Sequence, residues 1–509
     1  MVEDDGAFMT PTRAVPPANT RAATRTAAML VAIMLAAVAC SSTNRQAREA
    51  EPGQSPAGPD LVGSGDPVPG SSADAFASAI PSVPFVSSST GPAPKTPGGA
   101  GIDLSPGRGV KGNKISIGAF EIENRAEFIA AFGVKGLQGV DARKAQDAIV
   151  KYINANGGLG GRAAVPRYHS LDATSTDTYA ALAQAACDDF TRDREVFAVV
   201  AGTIDSARCL ADGDVITIND ADAAGDETFM KGLGKHYYGP GQLSYDRKAK
   251  AWVEGLAELG FLSKSKHYGL VYYDVPGMPR SIARSLDPAL KKHGVSIATD
   301  DRIEIHWPDS TPDAGATIAE IQNAVLRFKS RDVTHVLLYD VNGTITTFFL
   351  RQADSQEYTP FYGLESDSHL EFQNLNVPHR QLAKAVAVGW RHQEDVTNAK
   401  PANASERLCL DILRKAAVAL PDVGSTAQAI MLCDMWFFLK AGFDAAPAPN
   451  VDGFRLGVEG LGQRFLSPRT YVTRFARGRT PDGVAATRNV AYRMSCECWE
   501  LKGKLRSLP

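Results

Sequence analysis

The sequence predicts an α/β protein of two doubly wound parallel-sheet lobes behind a long N-terminal tether. Three observations lead there. From about Lys111 onward, strand candidates alternate with helical patterns, as in parallel sheets covered on both faces. That alternation falls into two blocks, one before and one after about Gly239. Ahead of them, a short apolar run gives way to a Ser/Pro/Gly/Ala-rich stretch that can bury too little to form a core.

The chain opens with Arg13, Arg21 and Arg25, an apolar run from Ala27 to Ala39, and Cys40. The run is shorter than the roughly 17–25 residues of a membrane-spanning helix and reads as a signal peptide over residues 1–39. Glu3, Asp4 and Asp5 are out of place in a basic leader, which makes Met9 an alternative start. Ala37-Val38-Ala39-Cys40 resembles the lipobox of bacterial lipoproteins, with Ala37 where most such motifs have Leu. That resemblance implies lipid on Cys40 and anchorage at the extracytoplasmic face of a bacterial cell membrane. Residues 40–110 then form a disordered tether, since their composition offers nothing to offset the entropy of ordering.

In the folded region, Lys114 to Phe120 is the first strand candidate. The next helix is expected from about Val140. Ala145, Ala148, Ile149, Tyr152 and Ile153 recur at helical spacing as a core-facing stripe, and Asp141, Arg143, Lys144, Asp147 and Lys151 fill the wet face. Asn156-Gly157-Gly158 supplies residues that tolerate the left-handed conformation of a helix end. Strands are expected near 165–171, 196–201, 214–218, 267–273 and 333–339, and helices near 177–190, 204–210, 252–259, 280–293, 317–328 and 344–353.

The stretch Ile153-Asn154-Ala155-Asn156-Gly157-Gly158-Leu159-Gly160-Gly161-Arg162 resembles the "INAxGGixGr" segment of the leucine/isoleucine/valine-binding family of solute receptors, the type I periplasmic binding proteins. Leu171-Asp172-Ala173-Thr174-Ser175 resembles the loop after that family's second strand. The likeness spans roughly Lys111 to Glu500 in element order and is tight from Asn154 to Gly202. It implies a hinge between the lobes, with later segments returning to complete each. Within a domain of residues 111–509, lobe 1 is then about 111–240 and 395–465, and lobe 2 about 241–394 and 466–500. The implied function is an extracytoplasmic receptor that delivers a small ligand to an ABC import permease. The alternatives are a sensor lipoprotein of the same fold, or an envelope enzyme with no recognised motif.

Composition and missing motifs narrow the classes further. A net charge of −3 offers no basic excess for a nucleic-acid partner. No G-x-x-x-x-G-K-[ST], G-x-S-x-G or H-E-x-x-H occurs, so no catalytic residue is nominated, and no enzyme activity, metal or cofactor is expected. Setting Cys40 aside leaves six of the seven cysteines, an even number suited to an oxidising compartment. Local pairing joins Cys187 to Cys209. It also joins Cys409 to Cys433, on two helices that meet near Pro421-Asp422-Val423-Gly424. Cys496 and Cys498 are left either paired or free, and no second ligand pair at zinc spacing accompanies them.

Ligands of open parallel sheets bind beyond the carboxyl ends of the strands. Polar candidates there are Glu121, Thr203, Asp205, Ser206, Asn219, Asp220, Asp274, Asp340 and Glu365. Tyr362-Gly363-Leu364-Glu365 resembles the family's "xGxE" strand end, which implies that Glu365 meets a ligand ammonium. Thr203, Asp205 and Ser206 stand where the family has a run of Ser and Thr that holds a carboxylate; Asn219, Asp220 and Asp222 stand where it has a small residue and Thr. Val275-Pro276-Gly277-Met278 follows Asp274 in place of the family's cleft tyrosine. A carboxylate facing Asp205 and Asp220 meets like charge. The expected ligand is therefore polar and amine-bearing, in a cleft of net negative charge.

Overall fold

A computed structural model describes residues 103–136, 138–220 and 224–509. The expected signal peptide, Cys40 and the tether as far as residue 102 lie outside these residues, as does Asp222. The first sheet contains β1 (Val110–Lys111), β2 (Lys114–Glu123), β3 (Ala163–Asp172), β4 (Ala198–Val200), β5 (Ile216–Ile218) and β6 (Tyr237–Tyr238). Its parallel strands run in the order β3-β2-β4-β5-β6, with β1 a short antiparallel addition to β2. The second sheet contains β7 (Tyr268–Tyr273), β8 (Arg302–Ile305), β9 (His335–Tyr339), β10 (Phe361–Glu365), β11 (Ala385–Gly389), β12 (Ala486–Arg493) and β13 (Cys498–Ser507). Here the parallel order β8-β7-β9-β10-β11 repeats that of the first sheet, and β12 and β13 extend it antiparallel. In both sheets the winding reverses beside the first parallel strand, between β2 and β4 and between β7 and β9. That reversal opens a crevice at the carboxyl edge.

The glycine-rich turn sets the geometry of the first unit. Asp141 caps the helix Ala142–Ala155 by accepting from Lys144 N at 2.9 Å. Ala145, Ile149 and Ile153 are buried as the stripe predicts, joined by Val150 and Gln146 while Ala148 and Tyr152 are half-buried. Gln146 is tolerated inside because Nε2 donates to Phe120 O at 3.0 Å and Oε1 accepts from Trp436 Nε1 at 3.1 Å. At Gly158, φ is 68° and a Cβ would sit 2.1 Å from Arg162 O, so only glycine fits.

The chain returns to the first lobe after building most of the second. Leu408, Trp436, Phe438 and Phe454 join the core over the first sheet, whereas Val490, Tyr492 and Trp499 join the core over the second. The helix Val423–Ala445 buries Trp436, Phe437, Phe438 and Leu439 in succession, as a helix enclosed on all sides does. Three crossings, near residues 239–244, 390–403 and 466–485, therefore connect the lobes. They also bond one another: Gly483 N donates to Gly239 O at 2.8 Å, and His392 N to Arg469 O at 3.3 Å.

Cys187–Cys209 and Cys409–Cys433 form as the local-pairing argument expects, and Cys496 pairs with Cys498. Residues 103–110, at the end of the stretch expected as tether, are docked on the domain. Asn450 caps the helix Val451–Leu461 through Oδ1, and its Nδ2 donates to Asp103 O at 2.7 Å and Ser105 O at 2.9 Å. No helix among the described residues is long and apolar enough to cross a membrane.

Candidate ligand cleft

Two adjoining chambers lie between the carboxyl edges of the two sheets. The outer one, about 390 Å³, is walled by Phe120, Phe132 and Tyr179 from the first lobe and by Tyr273, Trp307 and Phe348 from the second. Phe132 and Phe348 meet edge to face across the cleft with ring centres 6.5 Å apart, and Tyr273 meets Trp307 at 5.0 Å. The inner chamber, about 460 Å³, is bounded by Arg125, His369, Glu371, Glu394, Gln428 and Arg469 together with Met431 and Leu432. Phe120, Leu171, Thr203, Asn342, Thr344 and Phe372 line both.

The lobes are joined on two sides of this space. Tyr179 N donates to Asp309 O at 2.8 Å, and Thr311 Oγ1 to Ala173 O at 3.1 Å. Elsewhere on the rim, Asn376 receives Lys135 N at 2.8 Å and returns a bond to Lys135 O at 2.9 Å, while Arg351 reaches Gly133 O at 3.1 Å. The cleft is thus held in a closed arrangement.

Of the polar strand-end residues, Thr203 and Asp205 line the outer chamber. Thr203 caps the helix Ile204–Asp212 by accepting from Ser206 N at 3.3 Å. Asp205 has no hydrogen-bond or ion-pair partner among the described residues, and its surroundings raise its pKa by desolvation. Two further residues act one step back. Asp274 receives His306 Nδ1 at 2.7 Å and Trp307 N at 2.8 Å, which fixes the indole that walls the chamber. Fully buried Asp340 accepts from Val341 N, Thr346 N and Thr346 Oγ1, each at 2.8 Å, and so shapes the 342–344 loop that both chambers share.

The remaining five line neither chamber. Arg143 and then Ser170 bond Glu121 and draw its pKa down to about 2. Ser206 is buried and donates to Thr203 O at 3.1 Å; Asn219 is buried and donates to Tyr237 Oη at 3.1 Å. Burial raises Asp220, against an ion pair with Arg469 at 3.0 Å. Glu365 is sealed beside Lys248, whose Nζ lies 3.3 Å from it, 2.7 Å from Asp367 and 2.7 Å from Asp340 O. The ammonium that Glu365 meets is the protein's own. Burial pushes Glu365 well up, with Lys248 opposing.

The inner chamber carries matched charge along one side. Arg469 Nε lies 2.7 Å from Glu394 and its Nη1 3.0 Å from Asp220; His369 Nδ1 lies 3.3 Å from Glu394. Burial alone would raise Glu394, but Arg469, Arg391 and His369 outweigh it and bring the carboxyl to about 2. Burial lowers the pKa of His369, with the charge of Glu394 opposing. Among the described residues the one cluster with metal-ligand geometry is Cys496, Cys498 and Glu500, and its two sulfurs are joined to each other.

The aromatic wall escapes a reading confined to polar strand ends. Tyr273 does end β7, and Phe120 lies three residues before the end of β2, but Trp307 lies beyond β8, an edge strand whose Arg-Ile-Glu-Ile sequence carries little apolar signal.

Comparison of the fold finds solute-binding proteins. A possible leucine/isoleucine/valine-binding protein from Rhodopirellula baltica superposes with TM-score 0.54 at 13% identity, covering 79% of this chain and 98% of that one. A substrate-binding protein of an ABC transporter from Aeropyrum pernix gives 0.57 at 13%, over 78% and 97%. A solute-binding protein of an ABC transporter from Rhodopseudomonas palustris, solved with 3,4-dihydroxybenzoic acid, gives 0.55 at 11%, over 78% and 98%. No protein-family profile matches the sequence. No curated protein matches it either. At these identities the likeness is one of fold, and the fold is that of the type I periplasmic binding proteins.

Proposed function

We propose that this chain is an extracytoplasmic solute receptor, held at the cell membrane by lipid on Cys40, that closes two lobes on a small ligand and delivers it to an ABC permease. The shared fold and the closed two-lobed cleft support the receptor role, and the lipobox-like Ala37-Val38-Ala39-Cys40 supports the anchor. The role is binding and delivery, without turnover. The observation that carries the ligand class is the outer chamber, where seven aromatic rings from both lobes surround Thr203 and Asp205. A cavity of about 390 Å³ walled in this way favours an apolar body with few polar groups. The polar end expected from the sequence is kept as an amine, because Asp205 is the one nominated carboxylate that faces this chamber without a cation of its own.

Calorimetry with phenethylamine and with leucine tests the reading. Phenethylamine is expected to bind more tightly, and Asp205→Asn to weaken it by about tenfold or more, the loss of a charge-assisted hydrogen bond. Tighter binding of leucine, or equal phenethylamine affinity in the variant, overturns the ligand class and the role of Asp205.

A further inference from the structure

The inner chamber contains a cation, Arg125, with no hydrogen-bond or ion-pair partner among the described residues. Arg125 begins the helix Arg125–Ala131, and its stem lies over Gly139, where a Cβ would come within 3.1 Å of Arg125 Cδ. Arg125 Nε is sealed from solvent and has no hydrogen-bond partner among the described residues. No carboxylate is in ion-pair contact with the guanidinium among the described residues. Burial lowers its pKa, and the charge of Asp422 works in the other direction. That carboxylate is already engaged, accepting from Ser425 N at 2.7 Å and Gln138 N at 2.8 Å. Gln428 stands beside Arg125. Its Oε1 accepts from Val140 N at 3.0 Å, which leaves the Nε2 donor for the chamber it lines.

The other charges of the chamber are spoken for. Arg469 is shared between Asp220 and Glu394, and Glu371 receives Thr397 Oγ1 at 2.5 Å. An unpaired, partly desolvated guanidinium is costly in the empty protein and matches the fork of an oxyanion. We propose that Arg125, with the amide of Gln428, binds an oxyanion of the ligand, a carboxylate, sulfonate or phosphate carried at the inner end of the apolar body. The assignment rests on the receptor reading and extends it: one chamber takes the body, the other the anion. A neutral isostere leaves Arg125 unpaired, so discrimination against it is built in.

Two measurements on the mature protein decide the matter. Without ligand, Arg125→Gln removes an unpaired charge and is expected to raise Tm by about 1–2 °C. A fall in Tm assigns Arg125 a structural role and overturns the proposal. In calorimetry, 3-phenylpropionate is expected to bind at least about tenfold tighter than 3-phenylpropionamide. Arg125→Gln should abolish that preference, and Arg125→Lys should restore part of it. Equal binding of the two compounds to the parent, or a preference that survives in Arg125→Gln, overturns the oxyanion site. Failure of both compounds to bind while Tm still rises strikes the receptor reading and upholds the unpaired cation.

Discussion

In the first lobe, Cys187–Cys209 ties the helix Tyr179–Asp188 to Ile204–Asp212, and Cys409–Cys433 ties Ala404–Lys415 to Val423–Ala445. The second lobe carries its disulfide out on the β12–β13 hairpin and places a buried charge at its centre instead. Lys248 has no exposure, bonds Asp340 O, Glu365 and Asp367, and lies 4.5 Å from the centre of the Tyr339 ring. The two devices act on different states. A disulfide works chiefly by restricting the unfolded chain and makes little demand on the shape of the cleft. A buried ammonium works only while its partners keep their places, so it binds the carboxyl ends of β9 and β10 to the helix Tyr245–Glu258. The cleft wall on the second lobe is therefore set by charge, whereas the staples of the first lobe hold its fold without shaping the cleft.

The largest effect should come from breaking the charge. Lys248→Met leaves Glu365 and Asp367 buried without their cation and is expected to cost about 3–5 kcal/mol in denaturant unfolding. Asp367 retains Arg391 at 2.8 Å, so Glu365 is the exposed debt. Adding Glu365→Gln to Lys248→Met should recover part of the loss. A double variant no more stable than the single one would mean that Lys248 acts through packing of its stem.

The staples come next. Replacing Cys409 and Cys433 together by Ser opens a loop whose ends are 24 residues apart, for an expected loss of about 3 kcal/mol. Because neither cysteine lines a chamber, phenethylamine affinity at low temperature should be unchanged. A large loss of affinity would show that the staple shapes the cleft after all and would erase the contrast between the lobes.

What the sequence made legible follows the same division. The stripe of Ala142–Ala155, the glycine turn and the two first-lobe disulfides depend on spacing within a few turns of chain, and all were open to periodicity and turn chemistry. Four strands of the second sheet were not. β8 is a polar edge strand, β11 is built of Ala and Val too short to separate from a loop, and β12 and β13 return only after a long helical excursion. The candidate site divides likewise. Sequence located carboxylates at strand ends, but whether each meets a ligand or a protein cation is decided by tertiary contacts such as Lys248 to Glu365, 117 residues apart. The aromatic wall was hidden because ring positions at helix starts and beyond unrecognised strands carry no local signature.

Acid offers the finest test of the contrast. His335 opens β9 in the second lobe, is 5% exposed, and is stacked on Phe361 at 4.8 Å. Burial first, and then the charge of Lys266, depress its pKa to about 4. In the unfolded chain the imidazole titrates near 6.5. Between those values the unfolded state takes up a proton that the folded state refuses, so stability is full above about pH 6.5 and falls as pH drops toward about 4. Below that the folded imidazole also protonates and this contribution levels off. The loss across the window is expected to be about 2 kcal/mol, a somewhat discounted conversion of the shift at 1.36 kcal/mol per unit. His335→Phe removes the titrating group while keeping a ring to stack on Phe361. Urea midpoints measured from pH 7 to pH 4 should therefore fall less steeply in the variant than in the parent. Parallel pH profiles for the two proteins would show that the acid sensitivity lies elsewhere and that His335 is not what distinguishes the second lobe.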